Sequence, residues 1–237
     1  MPRALHDSFL VRDGRVLDLD AHIGRMAEAS GAGRDTLVPV YRAALEEAIV
    51  SWSFPRITVA GGELSFVVRP ITPSDLRETA SLWTAPVPDP RRYPHLKGPD
   101  FPVQDALRAA AREHGADEAI LVGDDGMLRE GAYSSVVHWV GGTLIVSASA
   151  ERLPSITEQA VIRAAGRGVE RRLCPPGEVR GADEVWILSS LHGIRVVTEW
   201  DGVPVAQSGL ADEYRERLAA MEQDGLAWLA SPDGRGL

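Results

Sequence analysis

The sequence predicts a mixed α/β protein built in two parts. Three observations carry that prediction. Short β-type runs are joined by glycine-bearing hairpin turns at Asp13-Gly14, Gly61-Gly62 and Gly141-Gly142. Helical periodicity is interspersed among these runs. Pro86, Pro88, Pro90 and Pro94 crowd a stretch that can neither continue a sheet nor begin a long helix, and so mark a boundary. The expected division is a small α/β domain over residues 1–92 and a larger, strand-rich domain over 93–237. Hairpins imply mixed or antiparallel sheets rather than one doubly wound parallel sheet.

Composition narrows the function classes. A chain of 237 residues, 44% hydrophobic and 25% charged, has the material for one large or two smaller cores. The formal net charge of -9, with acids spread along the chain, argues against nucleic acid or an anionic membrane as the main partner. A single cysteine, Cys174, excludes an internal disulfide and a Cys-based metal cluster, and suits a reducing cytoplasm. No apolar run has the length of a membrane span, and the opening Met-Pro-Arg-Ala-Leu-His-Asp lacks a signal peptide's apolar core. The expectation is a soluble, cytoplasmic protein that acts on a small molecule. No His/Cys/Asp/Glu cluster has metal-ligand spacing.

In chain order, residues 8–18 place two β-type runs around Asp13-Gly14, and a helix follows with Asp20 as its N-cap, Ile23, Met26 and Ala27 as its apolar face, and Gly31 and Gly33 at its end. A second helix is expected from about Val38 to Ser51. Strands at Arg56–Ala60 and Glu63–Arg69 flank Gly61-Gly62, and another lies near Ala80–Val87. Residues 102–114 read as a helix with Ala106, Leu107 and Ala110 inward. Strands at Glu118–Val122, Met127–Glu130, Val136–Val140 and Thr143–Val146 follow, then a helix at 155–166. Glu184–Leu188 and Gly193–Trp200 are strands, and a helix over roughly Ser208–Ala220 closes the pattern. The acidic pairs Asp18/Asp20 and Asp124/Asp125 read as turn chemistry rather than acid/base dyads.

Lys97 is the only lysine among 25 basic Lys and Arg residues. Arginine substitutes for lysine wherever a surface needs charge, but its guanidinium stays protonated and forms no Schiff base. A lysine kept in so arginine-rich a chain is therefore a candidate for amine chemistry. Pyridoxal phosphate chemistry needs such a lysine, a carboxylate at the pyridine nitrogen to keep the ring an electron sink, and donors for the phosphate. The chain has a candidate for each role. Glu130 follows a strand-type return and precedes Gly131. Arg25 leaves the first helix. Ile156-Thr157 opens a helix whose N–H groups suit a phosphate, and Ser189-Ser190 ends an apolar strand with two hydroxyls. His22 reads as a packing or hydrogen-bonding residue. Arg69 and His138 are weaker candidates for a substrate carboxylate.

These residues carry a resemblance. Asp13-Gly14 followed by Leu19-Asp20-Ala21-His22-Ile23-Gly24-Arg25-Met26, then Lys97 just before a helix, then Asp117-Glu118-Ala119, then Asp125-Gly126-Met127-Leu128-Arg129-Glu130-Gly131, then Leu153-Pro154-Ser155-Ile156-Thr157 and finally Leu188-Ser189-Ser190-Leu191 occur in one order. Together they resemble the class IV aminotransferases, the fold-type IV pyridoxal phosphate enzymes, over nearly the whole chain from about Ser8. That family includes branched-chain and D-amino acid aminotransferases and aminodeoxychorismate lyase. The resemblance implies the two-domain fold-type IV α/β architecture, with a strand-rich pseudo-barrel in the larger domain, the cofactor in the cleft between domains, and a homodimer. It implies pyridoxal 5'-phosphate on Lys97, which also moves the substrate α-proton. Glu130 would hold the pyridine nitrogen, and Arg25, Ile156, Thr157, Ser189 and Ser190 the phosphate.

The implied activity is transamination of a small amino acid or amino-bearing intermediate. The alternative is an aminodeoxychorismate lyase-like elimination releasing pyruvate, and a third reading is a non-catalytic relative on the same scaffold. The chain departs from the family pattern at Asp100 and Ser135, where asparagine is usual, and at Ser155 and Glu158, which replace the glycine and arginine of its "GITR". The segment before His6 is also shorter than the family's.

Overall fold

A computed structural model of the chain describes residues 4–231. These residues form two compact units. One holds the residues up to Leu76, Leu96–Pro99 and those from Leu218 onward, and the other holds Arg77–His95 and Asp100–Arg217. Lys97 thus belongs to the first unit.

The first unit begins with strands β1 (Leu5–Ser8), β2 (Val11–Arg12) and β3 (Arg15–Leu17), helices α1 (Leu19–Ser30) and α2 (Arg34–Ala48), and strands β4 (Arg56–Ala60) and β5 (Glu63–Val67). The Asp13-Gly14 turn between β2 and β3 has both residues at positive φ, 49° and 73°, as the tightest hairpin requires. Strands β1, β4 and β5 make an antiparallel sheet in that order, with Leu5 opposite Val59 and Ser8 opposite Arg56.

Two helix starts differ from the sequence expectation. The N-cap of α1 is Asp18 rather than Asp20: Asp18 sits at φ 51°, its carboxylate accepts from the Ala21 N–H, and Asp20 instead pairs with Arg34. Helix α2 starts at Arg34, four residues before the expected Val38, because Pro39 is accommodated inside the helix rather than opening it. Strand β1 was not anticipated.

The second unit is organised on a nine-stranded mixed sheet. Its elements are β6 (Thr79–Thr84), α3 (Phe101–Glu113), β7 (Glu118–Val122), β8 (Leu128–Gly131), β9 (Ser135–Val140), β10 (Thr143–Ser147), α4 (Ile156–Ala165), β11 (Val169–Arg172), α5 (Pro176–Arg180), β12 (Glu184–Ser189), β13 (Gly193–Trp200), β14 (Val203–Pro204) and α6 (Ala211–Ala220). The strand order is β11-β10-β9-β12-β13-β6-β7-β8, with β14 on β13. The β6/β7, β6/β13 and β10/β11 pairs are parallel and the others antiparallel, as the hairpins foretold for a mixed sheet. The sheet curls, so that β8 at its end comes back against β9 and β10, and the Ser147 hydroxyl reaches the Leu128 carbonyl at 3.4 Å.

Alternation along the strands sends Ala80, Leu82, Ile120, Val136, Val185, Ile187 and Val197 into one core. Helix α3 covers a smaller core through Leu107 and Ala111. Ala106, expected inward, is exposed, because the buried stripe lies one position further round the helix.

The chain then returns to the first unit with β15 (Glu222–Asp224), antiparallel to β3, and α7 (Gly225–Ala230), whose Trp228 closes the core of Phe9, Val16, Leu19, Ile23 and Leu45. Gly225 is required there: a Cβ would lie 2.8 Å from Ile49 Cδ1 and 2.9 Å from the Gly14 carbonyl, which accepts the Gly225 N–H. Among the described residues, no helix is long and apolar enough to cross a membrane.

In the second unit Trp186 has no exposed surface, stacks edge-on to Trp139 at 5.5 Å, and donates its indole N–H to Glu184 at 2.7 Å. Trp186→Ala is expected to lower the unfolding free energy by about 3–5 kcal/mol. Urea unfolding monitors this, and a change under ~1 kcal/mol would contradict the assigned core.

Candidate active site

The environment of Lys97 is set from the N-terminal strand. The His6 N–H donates to the Lys97 carbonyl at 2.8 Å, which ties the loop to β1. Gly98 makes this approach possible. It sits at φ +127°, and a Cβ there would collide with the Ala4 carbonyl and the His6 ring. One residue beyond His6, Asp7 turns its carboxylate into the unit, where it is 1% exposed. His22 Nδ1 meets Asp7 Oδ2 at 2.8 Å, the Tyr41 hydroxyl donates to the same oxygen at 3.1 Å, and the Arg25 guanidinium pairs with Oδ1. His22 and Arg25 are three residues apart on α1 and so share its inner face.

Burial raises the energy of the Asp7 charge, but His22 and Arg25 outweigh that cost and hold its carboxyl well below the usual carboxylate range. Burial and the adjacent Asp7 charge push the Tyr41 phenol far above its usual value, so it remains a donor. Lys97 responds in the opposite sense. Desolvation lowers its amine to about 8, Arg25 and Arg69 add to that, and Asp7 opposes it. At pH 8 roughly half of such an amine is unprotonated, against ~0.4% of an unperturbed lysine.

Arg69 is committed locally. It donates to the Phe54 carbonyl at 3.0 Å and to the Ser8 hydroxyl at 3.3 Å, and lies 4.6 Å over the Phe54 ring.

In the second unit Glu130, near the end of β8, is 3% exposed. Arg91 donates to its Oε1 at 2.6 Å and the Leu153 N–H to the same oxygen at 2.9 Å. Arg91 is itself clamped by Asp89 through contacts of 2.7–3.1 Å. Two donors on one oxygen fix the plane of the carboxylate, and neither of them takes Oε2. Burial raises the carboxyl to about 7 against the opposing pull of Arg91. Asp89 and Arg91 lie in the proline-rich stretch, whose prolines hold an extended segment along β7, with the Asp89 N–H on the Val122 carbonyl at 2.8 Å.

Ile156 and Thr157 open α4, both buried. The Ser155 hydroxyl caps the helix by accepting the Glu158 N–H at 3.2 Å, and the first-turn N–H groups of Ile156 and Thr157 have no acceptor within the helix. Glu158, which stands where the family pattern has arginine, is buried and held by Arg152 through two contacts of 2.6 and 2.7 Å. Its charge is thereby matched inside the unit.

Ser189 and Ser190 are half-buried at the end of β12, and the Ser189 hydroxyl accepts the His192 N–H at 3.3 Å. Of the two serines in the family's "sN" segment, Ser134 lies 3.3 Å from Glu118, while the Ser135 hydroxyl is buried without a hydrogen-bond partner among the described residues. Asp100 accepts the Tyr93 N–H at 2.7 Å. His138 lies inside the sheet, its imidazole lowered to about 4 by burial. Among the described residues, no group of three or more His, Cys, Asp or Glu could hold a metal ion.

The family model for amino-transferase class IV matches residues 4–200. The chain belongs to that family. Comparison with curated proteins gives no significant match. Among solved structures, the chain is similar to a hypothetical aminotransferase from Mycobacterium tuberculosis, at 20% identity and TM-score 0.83, covering 92% of this chain and 88% of that one. It is similar to the branched-chain amino acid aminotransferase of Escherichia coli at 16% identity and TM-score 0.82, over 94% and 86% of the two chains. A putative 4-amino-4-deoxychorismate lyase from Legionella pneumophila matches at 16% identity and TM-score 0.81, over 93% and 91%. At these identities the likeness establishes the fold, which is the expected fold-type IV α/β architecture.

The polar partners of the candidate residues were not evident from sequence. Asp7 looks like an ordinary acid in a short β-type run, and Arg91 and Arg152 like two of many arginines. A signal was available for Arg152 alone: the acid at Glu158 needed a cation within reach.

Because the chain has one lysine, its amine can be titrated selectively with a slow acylating reagent and peptide mapping. The predicted inflection lies near pH 8. Asp7→Asn removes the charge that raises the Lys97 value, so its inflection should move to lower pH. An inflection above pH 10 in the unsubstituted protein would contradict the desolvated site.

Proposed function

We propose that this protein is a pyridoxal phosphate-dependent aminotransferase that exchanges an amino group between a small amino compound and an oxo acid. The observation that carries the reading is the sole lysine, its amine desolvated and lowered to about 8 beside a buried Asp7–Arg25 pair. Bound, pyridoxal phosphate would supply an electron sink for the substrate's α-carbon.

The residues suit that group. An amine of lowered pKa is nucleophilic at neutral pH and competent to accept and return a proton. A buried carboxyl lifted to about 7 gains from a cationic donor such as a pyridinium N–H, and Arg91 and the Leu153 N–H already fix its orientation. Lys97 would bind the cofactor through its amine and would take up and return the α-proton. Glu130 would hold the pyridine nitrogen. Arg25, the N–H groups of Ile156 and Thr157, and the hydroxyls of Ser189 and Ser190 would hold the phosphate. The Mycobacterium tuberculosis neighbour has a PLP-bound form and a form with alpha-ketoglutarate and PMP, which supports the cofactor and the oxo-acid acceptor.

The second reading is elimination with release of pyruvate, favoured by the likeness to the Legionella pneumophila lyase over most of both chains. A cytoplasmic homodimer accords with the family and with the single cysteine.

Incubation with amino donors, with and without an oxo acid, tests the reading. Transamination requires the acceptor for turnover, whereas pyruvate release without it would favour the lyase. Glu130→Ala is expected to lower turnover about a hundredfold or more. An unchanged rate would remove Glu130 from the site.

A further inference from the structure

Beside the end of α3 the second unit opens into a cleft of about 390 Å3, lined by β6, the residues that follow α3, and the end of β13 with the turn after it. Its floor is aromatic. Trp83, on β6, is half-buried and packs against the small core that holds Ala111 of α3. The His114 ring stacks on the Trp83 ring, with centroids 4.6 Å apart and planes at 22°. His114 Nδ1 donates to the Ala110 carbonyl at 2.9 Å, so in the neutral ring Nε2 is an acceptor.

The rim is acidic. Glu199, exposed near the end of β13, and Asp201, in the turn beyond it, supply two carboxylates, and among the described residues no lysine or arginine lines the cleft. Asp201 is committed: it accepts the Thr84 N–H at 2.7 Å and the Thr84 hydroxyl at 2.8 Å, and pairs with Arg180 at 3.4 Å. Glu199 makes no side-chain hydrogen bond or ion pair among the described residues. His114 is the C-cap of α3, so the negative pole of a thirteen-residue helix falls at the cleft. Arg112, in the last turn of α3, and the Arg195–Asp117 pair lie outside the lining. An aromatic pair, an unpaired carboxylate and a helix C-terminus all favour positive charge.

We propose that this cleft binds a small alkylammonium cation, held against the Trp83 ring and balanced by the Glu199 carboxylate. An indole attracts such a cation more strongly than any other side-chain ring, and more so where the site is partly withdrawn from water. None of Lys97, Glu130, Ile156, Thr157, Ser189 and Ser190 lines the cleft, so the site is separate from the candidate cofactor residues. It stands whether or not the aminotransferase reading does.

The test uses the full chain with pyridoxal phosphate added, and choline as probe, because a quaternary nitrogen cannot condense with the cofactor's aldehyde. The neutral control is 3,3-dimethylbutan-1-ol, which has the same shape without the charge. NMR titration is expected to show choline binding that Trp83→Leu weakens about fivefold or more and Glu199→Gln about threefold. Trp83→Phe, which retains a ring, should weaken it less than Trp83→Leu. The formal net charge of -9 attracts cations generally, so Glu63→Gln, at an exposed strand position in the first unit, is the charge control and should leave choline binding unchanged. Melting temperatures verify the fold of each variant, and Glu199, being exposed, decides the matter if the Trp83 variants do not fold.

No choline binding to the unsubstituted protein, or equal affinity for choline and the neutral alcohol, would overturn the proposal. So would an equal loss in Glu63→Gln and Glu199→Gln, since overall charge rather than the cleft would then attract the cation. Choline affinity unchanged in Glu199→Gln would overturn it as well.

Discussion

A carboxylate withdrawn from water as completely as that of Asp7 destabilises a fold by several kcal/mol unless donors meet it. In this protein three donors do: the His22 imidazole, the Arg25 guanidinium and the Tyr41 hydroxyl. Meeting that demand ties β1 to successive turns of α1 and to the middle of α2. It also fixes the direction of Arg25, whose charge lowers the Lys97 amine, while the Asp7 charge restrains that effect. The β1 backbone adds the second restraint, through the His6–Lys97 hydrogen bond that Gly98 permits. A four-residue strand at the start of the chain therefore sets both the position and the proton affinity of a lysine some ninety residues later.

The second unit solves a different electrostatic problem with the same means. Glu130 is desolvated in a strand, and a relay from Asp89 through Arg91 opposes the rise that burial imposes on its carboxyl. Glu158 is desolvated at a helix start and kept by Arg152. In both cases a buried acid is paired with an arginine that is itself mostly buried, so the interaction is little screened by salt. Lys97 and Glu130 are pushed in opposite directions by one cause, loss of water. An amine is made easier to deprotonate and an acid harder to ionise. Groups poised near neutrality are those that acid–base chemistry uses.

Sequence reading located most elements because their signals are local. Glycine pairs define the hairpins, and Glu118–Val122 and Gly193–Trp200 have the ends their apolar patterns suggest. It misplaced the start of α1 because Asp18 caps the helix from a left-handed conformation, which no periodicity reveals. It missed β1, a strand whose buried positions include Asp7 and Ser8, because alternation of apolar residues is absent there. The uniqueness of Lys97 was visible at once, as was the motif order around Glu130. Their partners were not. Asp7 with Arg25, and Arg91 with Glu130, are 18 and 39 residues apart, and such pairs exist only once the chain is folded.

The account turns on whether Lys97 is the residue that takes the cofactor. The direct measurement is borohydride reduction of the purified protein with pyridoxal phosphate, followed by peptide mass mapping. Lys97 is the only lysine, so the sole competing amine is the N-terminal α-amino group. The account predicts one reduced pyridoxyl group per chain, on Lys97. Labelling of the N-terminus alone, or of neither amine, would contradict it.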